Sequence, residues 1–269
     1  MKNKMAKTDT NKILEHYTNQ AKLYKASPKS TMKDLFIRGL EVSKLTETLT
    51  KLSNKNTKVL EVGCGNGYTI SKLSKKLECN FVGIDSNQQM IQLASKRRLK
   101  KIIFSKQSIL EPKFRSGMFD IVFTQRCLIN LISWKSQKTA LNQIHRLLKK
   151  DGFLVLLEAF DDGLKELNQA RHIIGLEKIS PAWHNLYINK TKLHDFIQKK
   201  FVNGDPKSKK LTYDNFLSSY YFGSRILYPG LLEKKSQIKY NNKFVEFFSL
   251  MRPLGNYSPL QLTILKKIL

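Results

Sequence analysis

The sequence predicts an α/β protein built on a doubly wound, mostly parallel sheet. Three observations carry this. Strand-length apolar runs alternate with amphipathic helical patterns from Lys58 to Glu158. A glycine-rich turn, GCGNG, separates the first run from the helix that follows it. An acidic residue, Asp85, ends the second run. Regular alternation of this kind means βαβ units, with a sheet covered on both faces.

Taken in order, residues 10–54 read as helical. MKDLFIRGLEVSKLTETLTKL spaces its apolar residues by three and four until SNKNT breaks the pattern. Strands are expected at 58–62, 80–84, 101–105, 119–124 and 153–158. Helices are expected at 68–77, 88–97 and 136–148, and LKKDGF reads as a helix stop and turn. Beyond Phe160 the pattern loosens. Residues 163–174 and 192–200 read as helices, PAWHNLYI as a loop or short strand, and NGDPKSKK as a surface turn. FLSSYYFGSRILYPGLLE reads as an amphipathic helix until Pro229, residues 244–251 as a helix, and LQLTILKK as a closing strand. There is no internal repeat.

The chain of 269 residues suits one α/β domain with additions, or two small domains. Its charge is unusual: 48 Lys and Arg against 21 Asp and Glu, a formal +27. Such a balance points to a polyanionic partner when it is concentrated in a tail or stripe. Here residues 1–57 carry 12 basic and 5 acidic side chains, 58–160 carry 18 and 7, and 161–269 carry 18 and 9. The even spread favours a compositional origin, with Lys far more frequent than Arg. Cys64, Cys79 and Cys127 are odd in number and lack metal-ligand spacing, which points to a reducing, cytoplasmic setting without a disulfide framework or zinc site. MKNKMAKTDTNK has no apolar run behind it, so a signal peptide is not expected. No stretch approaches the length of a membrane span.

In an open parallel sheet, ligands sit outside the carboxyl ends of the strands, where the strand order reverses. Gly63, Gly65 and Gly67 lie at such an end, and glycines there let a ligand approach the main chain. A dinucleotide fingerprint would need its third glycine where Tyr68 stands, and no G-x-x-x-x-G-K-[ST] is present. Glu61, just before the loop, would repel a pyrophosphate and favour a cation. Asp85 can accept hydrogen bonds from both hydroxyls of a ribose. The ligand implied is a nucleoside with a cationic, phosphate-free appendage, and S-adenosylmethionine fits that description.

EVGCGNG, GIDSNQQMIQLA, SIL, FDIVFTQRCLINL and a helix running into LLKKDGFLVLLE follow one another in order and spacing from Lys58 to Glu158. This series resembles the class I S-adenosylmethionine-dependent methyltransferases. The resemblance implies a Rossmann-like, doubly wound, seven-stranded sheet whose last strand, LQLTILKK, is antiparallel. It implies a helical cap at 1–56 and a methyltransferase domain at 57–269. That domain would have a cofactor half at 57–160 and a substrate-side half at 161–269, with a helical insertion at about 214–257. The cofactor implied is S-adenosylmethionine, the product S-adenosylhomocysteine, and no metal is expected. By position, Gly63, Gly65 and Gly67 pass beneath the methionine part, with Glu61 in the family's acidic place. Asp85 holds the ribose, Ser86 and Met90 lie beside the adenosine, and Ser108 and Ile109 flank the adenine. Gln125 and Arg126 follow the fourth strand, where the family faces the methyl group. Tyr17 and Tyr24 are candidates to pack over the cofactor.

Candidate groups for the acceptor are fewer. His184, in PAWHN, and the polar pair Arg126 and Asn130 are the catalytic candidates. The alternatives are a turn histidine for His184, a salt bridge for Arg126 and a helix cap for Asn130. Trp183, Asn185, Tyr220, Tyr221 and Arg225 are the candidate acceptor-binding residues, suited to a sugar, an aromatic ring or an anion. Cys127 lacks the sequence setting of an RNA cytosine methyltransferase and reads as a buried thiol. The expected activity is methyl transfer to oxygen or nitrogen of a small-molecule or saccharide-type acceptor. RNA or another nucleic acid is the second choice, and a non-catalytic cofactor-binding subunit the third. The sequence leaves the oligomeric state open.

Overall fold

The computed structural model describes residues 2–205, 208, 210–232 and 240–268, with side chains from residue 9 onward. Pro206, Lys207 and Lys209 of the expected NGDPKSKK turn, and residues 233–239 of the expected insertion, lie outside the described residues.

The N-terminal helical run divides into α1 (Lys2–Tyr24) and α2 (Leu35–Leu52). Pro28 opens a single 3-10 turn between them, and the Asp34 carboxylate caps α2 by accepting from the Ile37 N–H at 3.2 Å. The alternation that follows is β1 (Lys58–Val62), α3 (Tyr68–Leu73), β2 (Asn80–Asp85), α4 (Gln88–Ser95), β3 (Ile103–Lys106) and β4 (Phe119–Gln125). It continues with α5 (Trp134–Leu147), β5 (Leu148–Ala159) and α6 (Asp161–Ile173). The LKKDGF turn is absent as such. The strand begins directly at Leu148, and an irregularity in its pairing with β4, between Phe119 and Ile121, takes up the extra residues with Asp151 at φ +62°.

Next come α7 (Lys190–Ile197) and a short β6 (Phe201–Asn203), which periodicity does not reveal because three residues are too few to show a pattern. The aromatic segment forms α8 (Ser218–Tyr221), a π-helical stretch (Phe222–Leu227) and α9 (Tyr228–Leu231). It therefore passes Pro229, which follows the π-helical stretch and lies two residues before the helical run ends at Leu231. Helix α10 (Lys243–Ser249) and β7 (Leu260–Lys267) end the chain.

The seven strands form one sheet in the order β3-β2-β1-β4-β5-β7-β6. The first five are parallel, and β7 runs antiparallel to both neighbours. Alternate residues feed opposite faces: Leu60, Val122, Leu154 and Leu156 pack into one core, and Val59, Ile121, Phe123 and Val155 into the other. The strand order reverses between β1 and β4, so their carboxyl ends open a crevice at the middle of the sheet.

Two asparagines fasten the N-terminal helices over that crevice. Asn66, in the glycine loop, donates to the carbonyls of Lys25 and Ser27 and to the Ser30 hydroxyl, at 2.8 to 3.0 Å. Asn87, after β2, donates to the Leu14 carbonyl and the Thr18 hydroxyl, each at 2.9 Å.

Candidate active site

The glycine loop turns by left-handed backbone, with φ of +73° at Gly63 and +51° at Gly65. A Cβ on Gly63 would stand 2.4 Å from the Cys127 sulfur, so the loop and the end of β4 touch main chain to side chain. The Gly65 N–H donates to Asp85 Oδ2 at 2.9 Å, and the Asn87 N–H to Asp85 Oδ1 at 2.8 Å. Each carboxylate oxygen keeps a lone pair for a further donor. Burial pushes the Asp85 carboxyl up, and these two N–H groups pull it back.

A chamber of about 500 Å³ lies above these strand ends. Glu61, Gly63, Gly65, Asp85, Ser86, Met90, Ser108, Ile109 and Gln125 all line it, together with Arg126 and Asn130. Gly67 does not. It stands behind the loop at φ +70°, where a Cβ would collide with the Phe104 ring, so its bareness serves packing of α3 against β3. Gln125 lines the chamber but both ends of its amide are taken: Oε1 accepts from the Thr69 hydroxyl at 2.7 Å, and Nε2 donates to Glu41 at 2.6 Å. It is a brace.

The floor between β4 and α5 is held by carboxylates. Buried Glu158 accepts from the N–H groups of Cys127, Leu128 and Ile129. Buried Glu41, from α2, accepts from Arg126 Nε at 2.8 Å, and Arg126 also donates to the Thr31 carbonyl at 2.8 Å. Arg126 sits at φ +52°, and its carbonyl accepts from the Asn130 amide. The Asn130 oxygen accepts from the Tyr17 hydroxyl at 3.1 Å. Burial pushes the Tyr17 phenol up to about 12. Burial also raises the Cys127 thiol well above its ordinary value, with the Glu158 charge adding to the effect, so it stays a thiol.

Glu61 is buried at 2% exposure, and its Oε2 has no partner. Burial raises its carboxyl to about 8, against the pull of Arg38.

A second chamber of about 410 Å³ adjoins the first. Tyr17, Thr31 and Arg126 line both. Lys29, Lys33, His16, His184, Asn185, Tyr187 and Tyr221 line the second, and among the described residues no carboxylate does. His16 and His184 stack with centroids 4.6 Å apart. Burial lowers the pKa of both, helped by Lys33 at His16 and by His16 at His184. His184 Nδ1 and Asn185 Oδ1 have no partner.

Three expected acceptor residues stand elsewhere. Trp183 is 63% exposed and packs edge-on against His16 and His184 from outside. Tyr220 is buried, with its hydroxyl 2.7 Å from Asp34 Oδ1, and Arg225 Nη2 lies 2.8 Å from Asp34 Oδ2. Both are absorbed by the α2 cap, and neither lines a chamber.

Sequence reasoning missed Arg38, Glu41, Thr31 and His16. The available signal was in α2, where Arg38 and Glu41 fall on the same stripe as Ile37, Leu45 and Leu49. Charges on an apolar stripe are paired or functional.

A family model described as a methyltransferase domain matches residues 59–152, the segment that carries the glycine loop, Asp85 and β4. This segment is a class I S-adenosylmethionine-dependent methyltransferase domain. Phosphoethanolamine N-methyltransferase of Plasmodium falciparum is 28% identical to this methyltransferase over 204 residues, covering 62% of this chain and 76% of that one. A sterol 24-C-methyltransferase of Debaryomyces hansenii is 27% identical over 123 residues, 42% of this chain and 32% of that one. The chain thus spans about a third of the sterol enzyme's length.

Among solved structures, N-methyltransferase NodS of Bradyrhizobium japonicum with S-adenosylhomocysteine superimposes at a TM-score of 0.58 and 14% identity, covering 94% of this chain and 98% of that one. Haemonchus contortus phosphoethanolamine N-methyltransferase 1 reaches 0.61 at 15% identity, covering 98% of this chain and 50% of that one. These likenesses establish the fold.

The cofactor of the methyltransferase is S-adenosylmethionine. The first chamber suits it, because the buried Glu61 oxygen is without a partner and can take an ammonium, and the glycine loop leaves main chain bare beside it. Among the described residues no helix is long and apolar enough to cross a membrane, and no group of three metal-ligating side chains occurs.

Proposed function

We propose that this methyltransferase modifies oxygen or nitrogen of a small acceptor that carries an anionic group, bound in the second chamber. The observation that carries this reading is the lining: Lys29, Lys33 and Arg126 with two histidines, and no carboxylate. A phosphorylated amine, such as the phosphoethanolamine named for the Plasmodium relative, or a sugar phosphate meets that chemistry. A neutral saccharide would leave Lys29 and Lys33 without a counter-charge, Arg126 being already held by Glu41. A chamber of about 410 Å³ also suits a small molecule better than a nucleic acid strand, which needs an extended groove.

In the first chamber, Asp85 would accept from the ribose hydroxyls and Glu61 from the ammonium. Ser86 and Met90 would flank the adenosine, and Ser108 and Ile109 the adenine. Bound there, the cofactor supplies an electrophilic methyl group on sulfonium. The chain contributes position: Tyr17, Thr31 and Arg126 stand where the chambers meet, and Glu41 and Asn130 fix two of them. Burial holds the His184 pKa below the ordinary histidine value and its Nδ1 has no partner, so it would take the proton given up by the acceptor. Residues 1–56 serve as cap and 57–269 as catalytic domain, with the insertion at about 214–257 anchored through Asp34. The three free thiols suit a reducing, cytoplasmic setting.

The test is transfer of a labelled methyl group to matched acceptors with and without a phosphate. Transfer confined to the phosphorylated partner, with KM raised tenfold or more by Lys29→Ala with Lys33→Ala, supports the reading. Equal transfer to the neutral partner refutes it.

A further inference from the structure

The charge that is even along the sequence is sorted in space. In a βαβ sheet each helix-to-strand turn lands at the amino edge of the strands, opposite the crevice. The turns at 53–58, 74–80, 99–102, 115–120, 148–153 and 198–201 meet there, with the end of β7 at 266–268. The register brings them together: Lys58 pairs with Asn80, Val82 with Ile103, Phe119 with Leu148, Phe153 with Lys266 and Phe201 with Lys267. These segments carry thirteen basic side chains and three acidic ones. Two of the three acids are taken, Asp120 by Lys149 at 2.6 Å and Asp151 by Lys266 at 2.9 Å. Lys55, Lys75, Lys76, Lys100 and Lys101 are exposed and stand in no ion pair among the described residues. By contrast, the turns after β1 to β4, at 63–67, 86–87, 107–112 and 126–133, carry one basic and one acidic side chain, Arg126 and Glu111.

The helices point their carboxyl ends at the amino edge and favour cations there, but that pull fades within the last turn. Helix α2 ends at Leu52 and α4 at Ser95, so Lys58, Lys100 and Lys101 lie beyond it. The plate spans all seven strands, about 30 Å across. Its chemistry separates the polyanions. Every cation in these turns except Arg115 is a lysine, a point charge without the planar fork that grips phosphates in pairs. The aromatic residues of the turns, Phe119, Phe153 and Phe201, pack into the cores, so no ring is offered to a base. Ile103 and Val202, on the two edge strands, are 64% and 46% exposed. A broad plate of one sign, without stacking rings and with apolar tips at its margins, fits a plane of anionic headgroups. We propose that the protein docks on an anionic lipid bilayer through this amino edge. Both chambers lie at the other end of the sheet, so docking keeps them clear of the lipid.

The test is co-sedimentation of the full chain with vesicles of phosphatidylcholine, alone or with about one-third phosphatidylglycerol, at about 0.1 M salt. Wild type should bind the anionic vesicles at least about tenfold more tightly, and about 0.5 M salt should release it. Lys75→Gln, Lys76→Gln, Lys100→Gln and Lys101→Gln together should weaken binding at least about 50-fold, at roughly fivefold per lysine. A control of equal net charge, Lys12→Gln, Lys22→Gln, Lys165→Gln and Lys178→Gln, should stay within about threefold of wild type. An environment-sensitive fluorophore on Lys101→Cys should shift with anionic vesicles, and one on Lys178→Cys should not, a reading that holds even if the first variant fails to fold. Wild type that ignores anionic vesicles overturns the proposal. So does equal weakening by the two charge variants, which makes the charge a diffuse field, and so does a fluorophore shift at Lys178→Cys alone. Tighter binding to a single-stranded RNA than to the vesicles, lost only in the first variant, assigns the edge to nucleic acid and overturns it too.

Discussion

Glu61 should make cofactor binding depend on pH in a way that can be worked out beforehand. Burial raises its carboxyl to about 8, so at pH 7 the neutral form outnumbers the carboxylate about tenfold. An ammonium partner requires the carboxylate. Binding should then release most of a proton per cofactor at pH 7, the share of glutamate that must ionise. Affinity for S-adenosylhomocysteine should climb up to tenfold per pH unit below about 8, near 1.4 kcal/mol per unit, and flatten above it. Calorimetry from pH 6 to 8.5, in two buffers of different ionisation enthalpy, reads both the slope and the proton count. Glu61→Gln should bind more weakly with no slope. A flat wild-type profile, or the same slope in Glu61→Gln, would refute the argument. The same group acts on the unliganded fold with opposite sign. Its folded pKa lies above its ordinary 4.5, so its contribution to stability is lost as pH rises from about 4.5 to 8. The thermal upshift given by S-adenosylhomocysteine should be larger at pH 8.5 than at pH 6.

Other substitutions test neighbouring links. Asp85→Asn should weaken S-adenosylhomocysteine binding by about tenfold or more, and should speed amide exchange at Gly65, whose N–H the carboxylate holds. Gly63→Ala should lower stability by about 2–5 kcal/mol through its positive φ and its collision with Cys127. Pairing it with Cys127→Gly should recover only part of that loss in a denaturant titration. For an acceptor found by the labelled-methyl panel, the rate should fall on the acid side, below the usual histidine range, as His184 protonates. Its acid limb should vanish in His184→Gln. Binding to single-stranded RNA should be weak and steeply reduced by salt if the +27 charge acts only as a diffuse field.

The sheet and the cofactor side were legible because each is written locally. GCGNG needs its own φ values, Asp85 ends its own strand, and the apolar runs alternate within ten residues. The acceptor side was not, because it is made by contacts across long separations. His16 meets His184 only when α1 folds over the sheet, and Glu41 meets Arg126 only when α2 does. Tyr220 and Arg225 read as binding groups by residue type, yet Asp34, nearly two hundred residues earlier, takes both. No local pattern records that pairing.

Asn66 and Asn87 stand on the two loops that would cradle the nucleoside, and each spends its side-chain amide on the N-terminal helices. Glu41 likewise leaves α2 to neutralise Arg126 within the sheet crevice. Removing residues 1–56 would therefore strip both loops of their anchors and part Arg126 from its counter-charge. What looks by sequence like a detachable lid is part of one cooperative unit. A fragment beginning at residue 57 is expected to lose its thermal transition, not merely its activity.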